Sequence, residues 1–218
     1  MVRILVGSMA VALAAIVPAQ ARAQCCVAMS GCFCDLGNGT IKDTCTGRQW
    51  EKKTSTAGVH NVNNLYTWAG TCTVGGAYCQ PNAAAATACT VHADGGTLGC
   101  STCASGTCDV NPYGYGAITT VWDWVSQLNA ANFAGHNDWR LPSEGGHNSP
   151  ATGSNELETI VAPSTFTPSI NAIFGPTASF RYWSASTRAT FDAWYMFFYN
   201  GFVSYDSKTG GLYVRAVR

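Results

Sequence analysis

The sequence predicts an α+β fold in which two helices pack on a short-stranded, mostly antiparallel sheet and a disulfide-rich lobe is inserted. Three observations lead to this prediction. A segment with helical periodicity lies near the middle of the 218-residue chain, short strand-like segments follow it, and all 11 cysteines precede residue 109. We therefore expect disulfides to hold the N-terminal half and packing alone to hold the C-terminal half.

The first 23 residues have the pattern of a cleavable secretory signal peptide. Arg3 precedes a small-apolar run at residues 4–17, and an A-x-A site ends at Ala23. Cleavage there would leave residues 24–218, which is 218 − 23 = 195 residues. We expect an exported protein, periplasmic or extracellular. The apolar run is too short to span a membrane, and no later segment is apolar enough to do so.

The charge balance argues against polyanionic partners. The chain has 12 basic and 12 acidic residues, and loss of the two arginines in the signal peptide leaves 10 − 12 = −2. Nucleic-acid binding normally needs a basic surface. We therefore expect no nucleic-acid partner.

The hairpin and the lobe come first along the chain. Residues 40–42 and 48–52 read as two strands joined by a turn. Residues 70–111 are rich in glycine and poor in large apolar groups, so bridges must order them, and we interpret them as an inserted surface lobe.

The cysteines are expected to form disulfides. Their number is odd, which leaves one thiol for an intermolecular bridge or as a free group. The Cys100-x-x-Cys103 spacing is also found in zinc and redox sites, but the exported, cysteine-rich context favours disulfides. The six cysteines of the lobe allow 15 pairings, among which the sequence does not choose. The disulfide candidates are Cys25, Cys26, Cys32, Cys34, Cys45, Cys72, Cys79, Cys89, Cys100, Cys103 and Cys108.

The helices and the remaining strands follow the lobe. Thr120 stands three residues before Asp123, as in a capping box, and apolar residues then recur near a 3.6-residue period. A second short helix is predicted at residues 155–161, with Ser154 as its cap. Turn residues then separate four strands of a predicted antiparallel meander, at residues 182–186, 193–198, 202–205 and 212–217.

The last 39 residues hold 12 of the 25 aromatic residues. Strand alternation places Trp194, Met196 and Phe198 on one face, towards the core, and leaves the other face also aromatic. This second face is either buried as well or exposed as a binding surface, because aromatic rings with polar tips bind sugars and proteins. The candidate ligand-binding residues are Arg181, Tyr195, Phe197, Tyr199, Asn200, Phe202, Ser204, Tyr205 and Asp206.

Other polar residues have structural interpretations. Asp138 and Arg140 lie two positions apart, and we expect them to satisfy each other or nearby backbone groups, with Trp139 in the core. We expect no catalytic residue and no cofactor. A calcium site is kept open at Asp109, Asn111 and Asp123, although the loop lacks a closing glutamate.

Several segments, in order, resemble one known family. NGTIKDTCTGRQWEK, LNAANFAGHNDWRLP, ELETIV, PSINAIFGP, YWSAS, AWYMFFYNGFV and YVRAVR are similar to the Lcl C-terminal domain family, named after a collagen-like bacterial adhesin. The resemblance covers residues 33–68 and 119–218. It implies a C-type-lectin-like fold, an extracellular location, glycan or other ligand binding, and a trimeric assembly. The adhesin's association with sulfated glycosaminoglycans calls for basic clusters, which this chain lacks.

Three functions follow as hypotheses. The leading one is an exported, non-enzymatic, adhesin-like module that binds a glycan or a protein surface. The outward positions of the tail are drawn from Tyr, Phe, Asn, Ser and Asp, which also resembles a binding protein diversified by a retroelement. The third is a structural subunit of an extracellular complex. The related formylglycine-generating fold requires reactive cysteines in the C-terminal half, and Cys108 is the last one.

Overall fold

A computed structural model describes residues 26–90, 100–111, 113–145, 155–162 and 167–218. The predicted signal peptide, Cys25 and Ser154 lie outside these ranges. The described chain is α+β, with helices α1 (Ala83–Thr90) and α2 (Val121–Ala130). Its strands are β1 (Ala28–Ser30), β2 (Phe33–Asp35), β3 (Thr40–Asp43), β4 (Gln49–Glu51), β5 (Tyr66–Thr67), β6 (Gly70–Cys72), β7 (Tyr78–Cys79), β8 (Cys108–Asp109), β9 (Arg181–Thr187), β10 (Asp192–Phe197), β11 (Phe202–Ser207) and β12 (Gly211–Leu212). Single 3₁₀ turns occur at Phe133–Gly135, Leu157–Ile160 and Ala172–Phe174.

The N-terminal sheet has the order β1-β2-β3-β4 and is antiparallel throughout. It confirms the predicted hairpin at residues 40–42 and 48–52. The turn is built on Asp43, whose Oδ1 accepts hydrogen bonds from the backbone N–H groups of Cys45 and Thr46 at 2.9 and 3.1 Å. Two disulfides, Cys26–Cys34 and Cys32–Cys45, fasten its outer strands.

The lobe at residues 70–111 is more ordered than its composition predicts. It contains α1 and a three-stranded sheet of order β7-β6-β8. Its six cysteines pair only with one another, as Cys72–Cys103, Cys79–Cys108 and Cys89–Cys100, which confirms the disulfide interpretation of the Cys-x-x-Cys segment. Ala85, Cys89 and Cys100 join the main hydrophobic cluster, so the lobe is part of the core as well as of the surface.

The prediction for α2 is confirmed, whereas that for the second helix is wrong. The Thr120 hydroxyl accepts from the Asp123 N–H, and the Asp123 carboxylate accepts from the Thr120 N–H, which completes the capping box. Instead of a helix at residues 155–161, the chain makes the 3₁₀ turn Leu157–Ile160 and then pairs Val161 with Ile170 in an isolated bridge. That bridge requires extended backbone at Val161, which ends the turn.

The C-terminal sheet has three strands, in the order β11-β10-β9, instead of the predicted four. The last segment leaves this sheet. Gly211–Leu212 pairs with β5, and Val217 bridges both Trp50 and Arg140. The tail therefore connects the C-terminal half to the N-terminal strands, an arrangement that local sequence patterns do not encode.

Strand β9 separates two hydrophobic clusters. Trp183 and Ala185 belong to the cluster that includes Trp68, Trp124 and Trp139, which we call the first cluster. Tyr182 belongs to the second cluster, with Trp50, Phe174, Met196 and Phe198. Both faces of β9 are buried in consequence, and this strand is the centre of the fold.

A buried charge network joins the N-terminal sheet to the tail. The Glu51 carboxylate, fully buried, accepts hydrogen bonds from Lys53 Nζ at 2.9 Å, His60 Nδ1 at 2.8 Å and the Ala216 N–H at 3.1 Å. Arg215 Nη1 donates to the Glu51 carbonyl at 2.7 Å. Burial opposes ionisation of Glu51, but the charge of Lys53 and the His60 hydrogen bond outweigh it and lower the pKa to about 2.

The prediction that Asp138 and Arg140 satisfy each other is wrong. Arg140 makes a bidentate pair with Glu156, at 2.6 and 2.7 Å, and Asp138 pairs with Arg218 at 2.7 Å. Burial raises the pKa of Glu156, but the hydrogen bonds from Arg140 and from the Ser143 N–H lower it further, to about 2. Trp139 lies in the first cluster, as predicted.

Trp139 and Trp194 should differ in their contribution to stability. Trp139 is 2% exposed and donates from Nε1 to the Phe133 carbonyl at 2.9 Å. We expect Trp139→Ala to lower the free energy of unfolding by about 3–5 kcal/mol. Trp194, which the alternation pattern predicts to be a core residue, is only half-buried, so Trp194→Ala should cost less than half as much. Denaturant unfolding of the oxidised protein measures both, and equal losses would contradict this description of the core.

Glu156 should contribute to acid sensitivity. Because its pKa is lowered from 4.5 to about 2 in the folded protein, its stabilising effect is complete above the unfolded pKa and is lost as the pH falls towards 2. We expect Glu156→Gln to flatten the decline in stability between pH 5 and 2, leaving the part contributed by Glu51. Unfolding midpoints measured across that range test this, and parallel wild-type and variant curves would refute it.

Candidate ligand-binding face

The register of the C-terminal sheet assigns the tail residues to two faces. Antiparallel cross-strand partners lie on the same face, and Tyr195 opposes both Ser204 and Trp183. Phe197 likewise opposes Phe202 on one side and Arg181 on the other. The predicted residues 181, 195, 197, 202 and 204 therefore lie on one face.

The first cluster covers only one end of this face. Tyr195, next to buried Trp183, is half-buried and packs against that cluster. Phe197 is also half-buried, while Phe202 is 53% exposed and Tyr199 is 47% exposed. The face is therefore core at the Tyr195 end and open to solvent at the Phe197 end, so both sequence interpretations hold, each for one end.

The open end carries a continuous row of rings. Tyr199 stacks on Phe197 with centroids 5.6 Å apart, Phe180 meets Phe197 edge-on at 5.8 Å, and Tyr213 meets Phe180 at 6.3 Å. Tyr213 stacks in turn on buried Tyr182 at 5.4 Å, which anchors the row to the second cluster. Contacts of this geometry hold rings in place and add to their burial energy.

One ion pair lies beside the rings. Arg181 pairs with Asp206, and both side chains are about a third exposed. The Arg181 guanidinium also lies 4.9 Å from the Phe180 ring centroid and 5.5 Å from that of Tyr195. The charge is thus compensated and held against aromatic surface. We call Phe180, Arg181, Phe197, Tyr199, Phe202 and Asp206 the aromatic face.

The turn between β10 and β11 fixes the two most exposed rings. Asn200 Oδ1 accepts from the Phe202 N–H at 3.1 Å, so this predicted ligand residue also shapes the turn. Gly201 has φ 78°, and its N–H donates to the Phe197 carbonyl at 2.8 Å. A Cβ at Gly201 would lie 2.7 Å from Val161 Cγ1, so only glycine fits this turn.

Tyr205 is the predicted site residue that does not belong to this set. It opposes Trp194, on the other face of the sheet, and meets that ring edge-on at 5.9 Å. The Arg188 guanidinium lies 3.6 Å from the Tyr205 ring centroid. The strict two-residue alternation along β11 separates Tyr205 from Ser204 and Asp206.

Sequence reasoning missed Phe180 and Tyr213. Both lie just outside strands, Phe180 before β9 and Tyr213 after β12, where alternation does not assign a face. The available signal was compositional, because both belong to the aromatic-rich tail.

The structure separates the calcium candidates. Asp109 and Asn111 line one pocket, whereas Asp123 lines another. The Asp123 carboxylate accepts hydrogen bonds from the Thr119 and Thr120 hydroxyls, the Thr120 N–H and Asn82 Nδ2. Its oxygen atoms therefore serve the N-terminus of α2.

The described cysteines and helices also limit other kinds of site. The sulfur atoms of Cys72, Cys79 and Cys103 lie within 4.8 Å of one another, but each is in a disulfide and is no thiolate ligand. Within the described ranges, no helix is long and apolar enough to cross a membrane.

Comparison with known proteins identifies a family. The model of the Lcl C-terminal domain matches residues 39–218. That match includes the hairpin, the lobe, α2 and the aromatic face. No curated protein and no solved structure matches the chain significantly. The match covers well over half of the sequence, and the chain therefore belongs to the Lcl C-terminal domain family.

Proposed function

We propose that this protein is an exported, adhesin-like binding module that contacts a glycan or a protein surface through its aromatic face. The observation that carries the proposal is the solvent exposure of Phe180, Tyr199 and Phe202, at 43%, 47% and 53%, within one connected group of rings. Clustered exposed rings of this kind are typical of binding surfaces in soluble proteins.

The chemistry of the face favours an uncharged or mixed ligand surface. Rings present flat apolar area at low entropic cost, and the Tyr199 hydroxyl, Asn200 and the Arg181–Asp206 pair supply hydrogen-bonding groups at the margin. The cation is already neutralised by its partner, so the face offers little to a sulfated polymer. This agrees with the even balance of charges in the sequence.

The proposal includes a non-enzymatic role, a C-type-lectin-like fold and an extracellular or periplasmic location. The ten described cysteines are all in disulfides, which suits an oxidising compartment. The buried ionisable groups Glu51, Lys53 and Arg215 serve one another and the backbone. Family membership supports the fold and the location, and the trimeric assembly that it implies is open to sedimentation analysis.

Removing two exposed rings should abolish binding and leave the fold intact. We expect Tyr199→Ala combined with Phe202→Ala to reduce capture on an array of neutral glycans and on bacterial or host cell surfaces by at least about tenfold, since central aromatic anchors contribute most of the binding energy at interfaces. The free energy of unfolding should change by no more than about 0.5 kcal/mol, because both rings are exposed.

Tyr205→Ala is the matched control, because it removes an equally exposed ring (44%) from the opposite face. It should leave capture unchanged. Equal losses in the control and the double variant, or full capture by the double variant, would refute the aromatic face as the binding surface.

A second candidate function is a receptor-type protein diversified by a retroelement. The outward residues of the β10–β11 hairpin are Phe197, Tyr199, Asn200, Phe202, Ser204 and Asp206, and each belongs to the residue set that adenine-directed mutagenesis of asparagine codons produces. We expect a near-identical copy of this gene segment beside a reverse transcriptase gene. A genome that lacks both would remove this candidate.

A further inference from the structure

A second, polar pocket lies between the lobe and the rest of the domain. It has a volume of about 420 Å³, which is within the range of small-molecule sites. β5, β6, β8 and the corner between β11 and β12 supply its walls. The aromatic face is formed by other residues, so the two sites are independent.

Two side chains of the lobe point into this pocket from paired strands. Thr71 of β6 opposes Asp109 of β8, and cross-strand partners lie on one face. Asn111, two residues after Asp109, lines the pocket as well. Among the described residues, the Asp109 carboxylate and the Asn111 carboxamide take part in no side-chain hydrogen bond or ion pair, so both are available to a ligand.

The pocket is rigidly built. The opposite face of the same sheet holds Cys72 and Cys108, each fixed in a disulfide of the lobe. At Gly70, a Cβ would lie 2.6 Å from the Asp109 carbonyl and 2.5 Å from Val110 Cγ1, so only glycine allows β8 to come this close. The Ala69 N–H donates to the Lys208 carbonyl at 2.9 Å, which ties the floor to the β11–β12 corner. A preformed site of this kind loses little entropy when a ligand binds.

The lining selects a neutral polyhydroxylated ligand. Thr67, Thr71 and Thr209 supply hydroxyls that donate and accept, and Asp109 and Asn111 supply oxygen atoms that accept from ligand hydroxyls. None of the seven lining residues is basic, so an anion would meet only the carboxylate. Calcium takes six to eight oxygen ligands, usually with several carboxylates, whereas this pocket offers one carboxylate and far more room than an ion fills.

We propose that this pocket binds one neutral sugar residue, with Asp109 and Asn111 accepting hydrogen bonds from adjacent hydroxyls of its ring. The hydroxyls of Thr71 and Thr209 complete the contacts, and Ala69 and Val110 pack against the carbon atoms. The lobe thereby adds a sugar-specific subsite that the aromatic face alone does not provide.

The test is an amide chemical-shift titration of the oxidised, ¹⁵N-labelled protein with glucose, galactose and mannose. We expect at least one hexose to shift the amides of Thr71, Asp109, Asn111 and Thr209 saturably at millimolar concentration, with EDTA present. Asp109→Ala, or the isosteric Asp109→Asn if the first variant misfolds, should weaken binding by at least about tenfold, roughly the effect of one lost charge-assisted hydrogen bond. Asn200→Ala, on the aromatic face, should leave these shifts unchanged.

Three results would overturn the proposal: no hexose shifts these amides, Asp109→Asn binds as the wild type does, or binding disappears with EDTA because calcium mediates it. The two sites fail separately. A protein that captures its target through Tyr199 and Phe202 but gives no hexose shifts would refute this pocket and leave the aromatic face standing.

Discussion

The fold depends on the buried carboxylate of Glu51. Glu51 ends the N-terminal hairpin, and its partners Lys53, His60, Ala216 and the guanidinium of Arg215 come from opposite ends of the chain. Breaking one partner of such a network typically costs about 3–5 kcal/mol, because a charge is then left buried and uncompensated. Glu51 therefore fixes the path of the tail across the N-terminal sheet. With the tail held there, Tyr213 stacks on Tyr182, and the ring row that ends at Tyr199 has a fixed base.

The two halves of the chain reach order by different means. In the N-terminal half and the lobe, five disulfides among the described residues compensate for a scarcity of large apolar side chains. The C-terminal half has no cysteine and relies on β9, buried on both faces between the two clusters. Because the first cluster covers β10 only as far as Tyr195, the sheet continues past its own core. Its open end is the aromatic face, and the lobe closes over a different region to form the polar pocket.

Local patterns predicted what local physics determines. The capping box of Thr120 and Asp123, the hairpin turn on Asp43 and the alternation along β10 and β11 each depend on residues a few positions apart, and all three are found. The pairing of Arg140 with Glu156 and the bridges of Val217 to Trp50 and Arg140 depend on how distant segments meet, which spacing does not encode. Alternation identified most of the aromatic face, but it failed for Tyr205, whose side chain the register places on the opposite face, and for Phe180 and Tyr213, which lie beyond the ends of strands.

The central claim is that the sheet presents a ring-bearing face to solvent. Fluorine NMR of the protein labelled with 3-fluorotyrosine, with a soluble neutral paramagnetic agent added, measures the exposure of each tyrosine directly. The account predicts strong broadening of the Tyr199 signal, comparable with that of Tyr205, and little broadening of buried Tyr66 and Tyr182. A Tyr199 signal as protected as that of Tyr182 would contradict it.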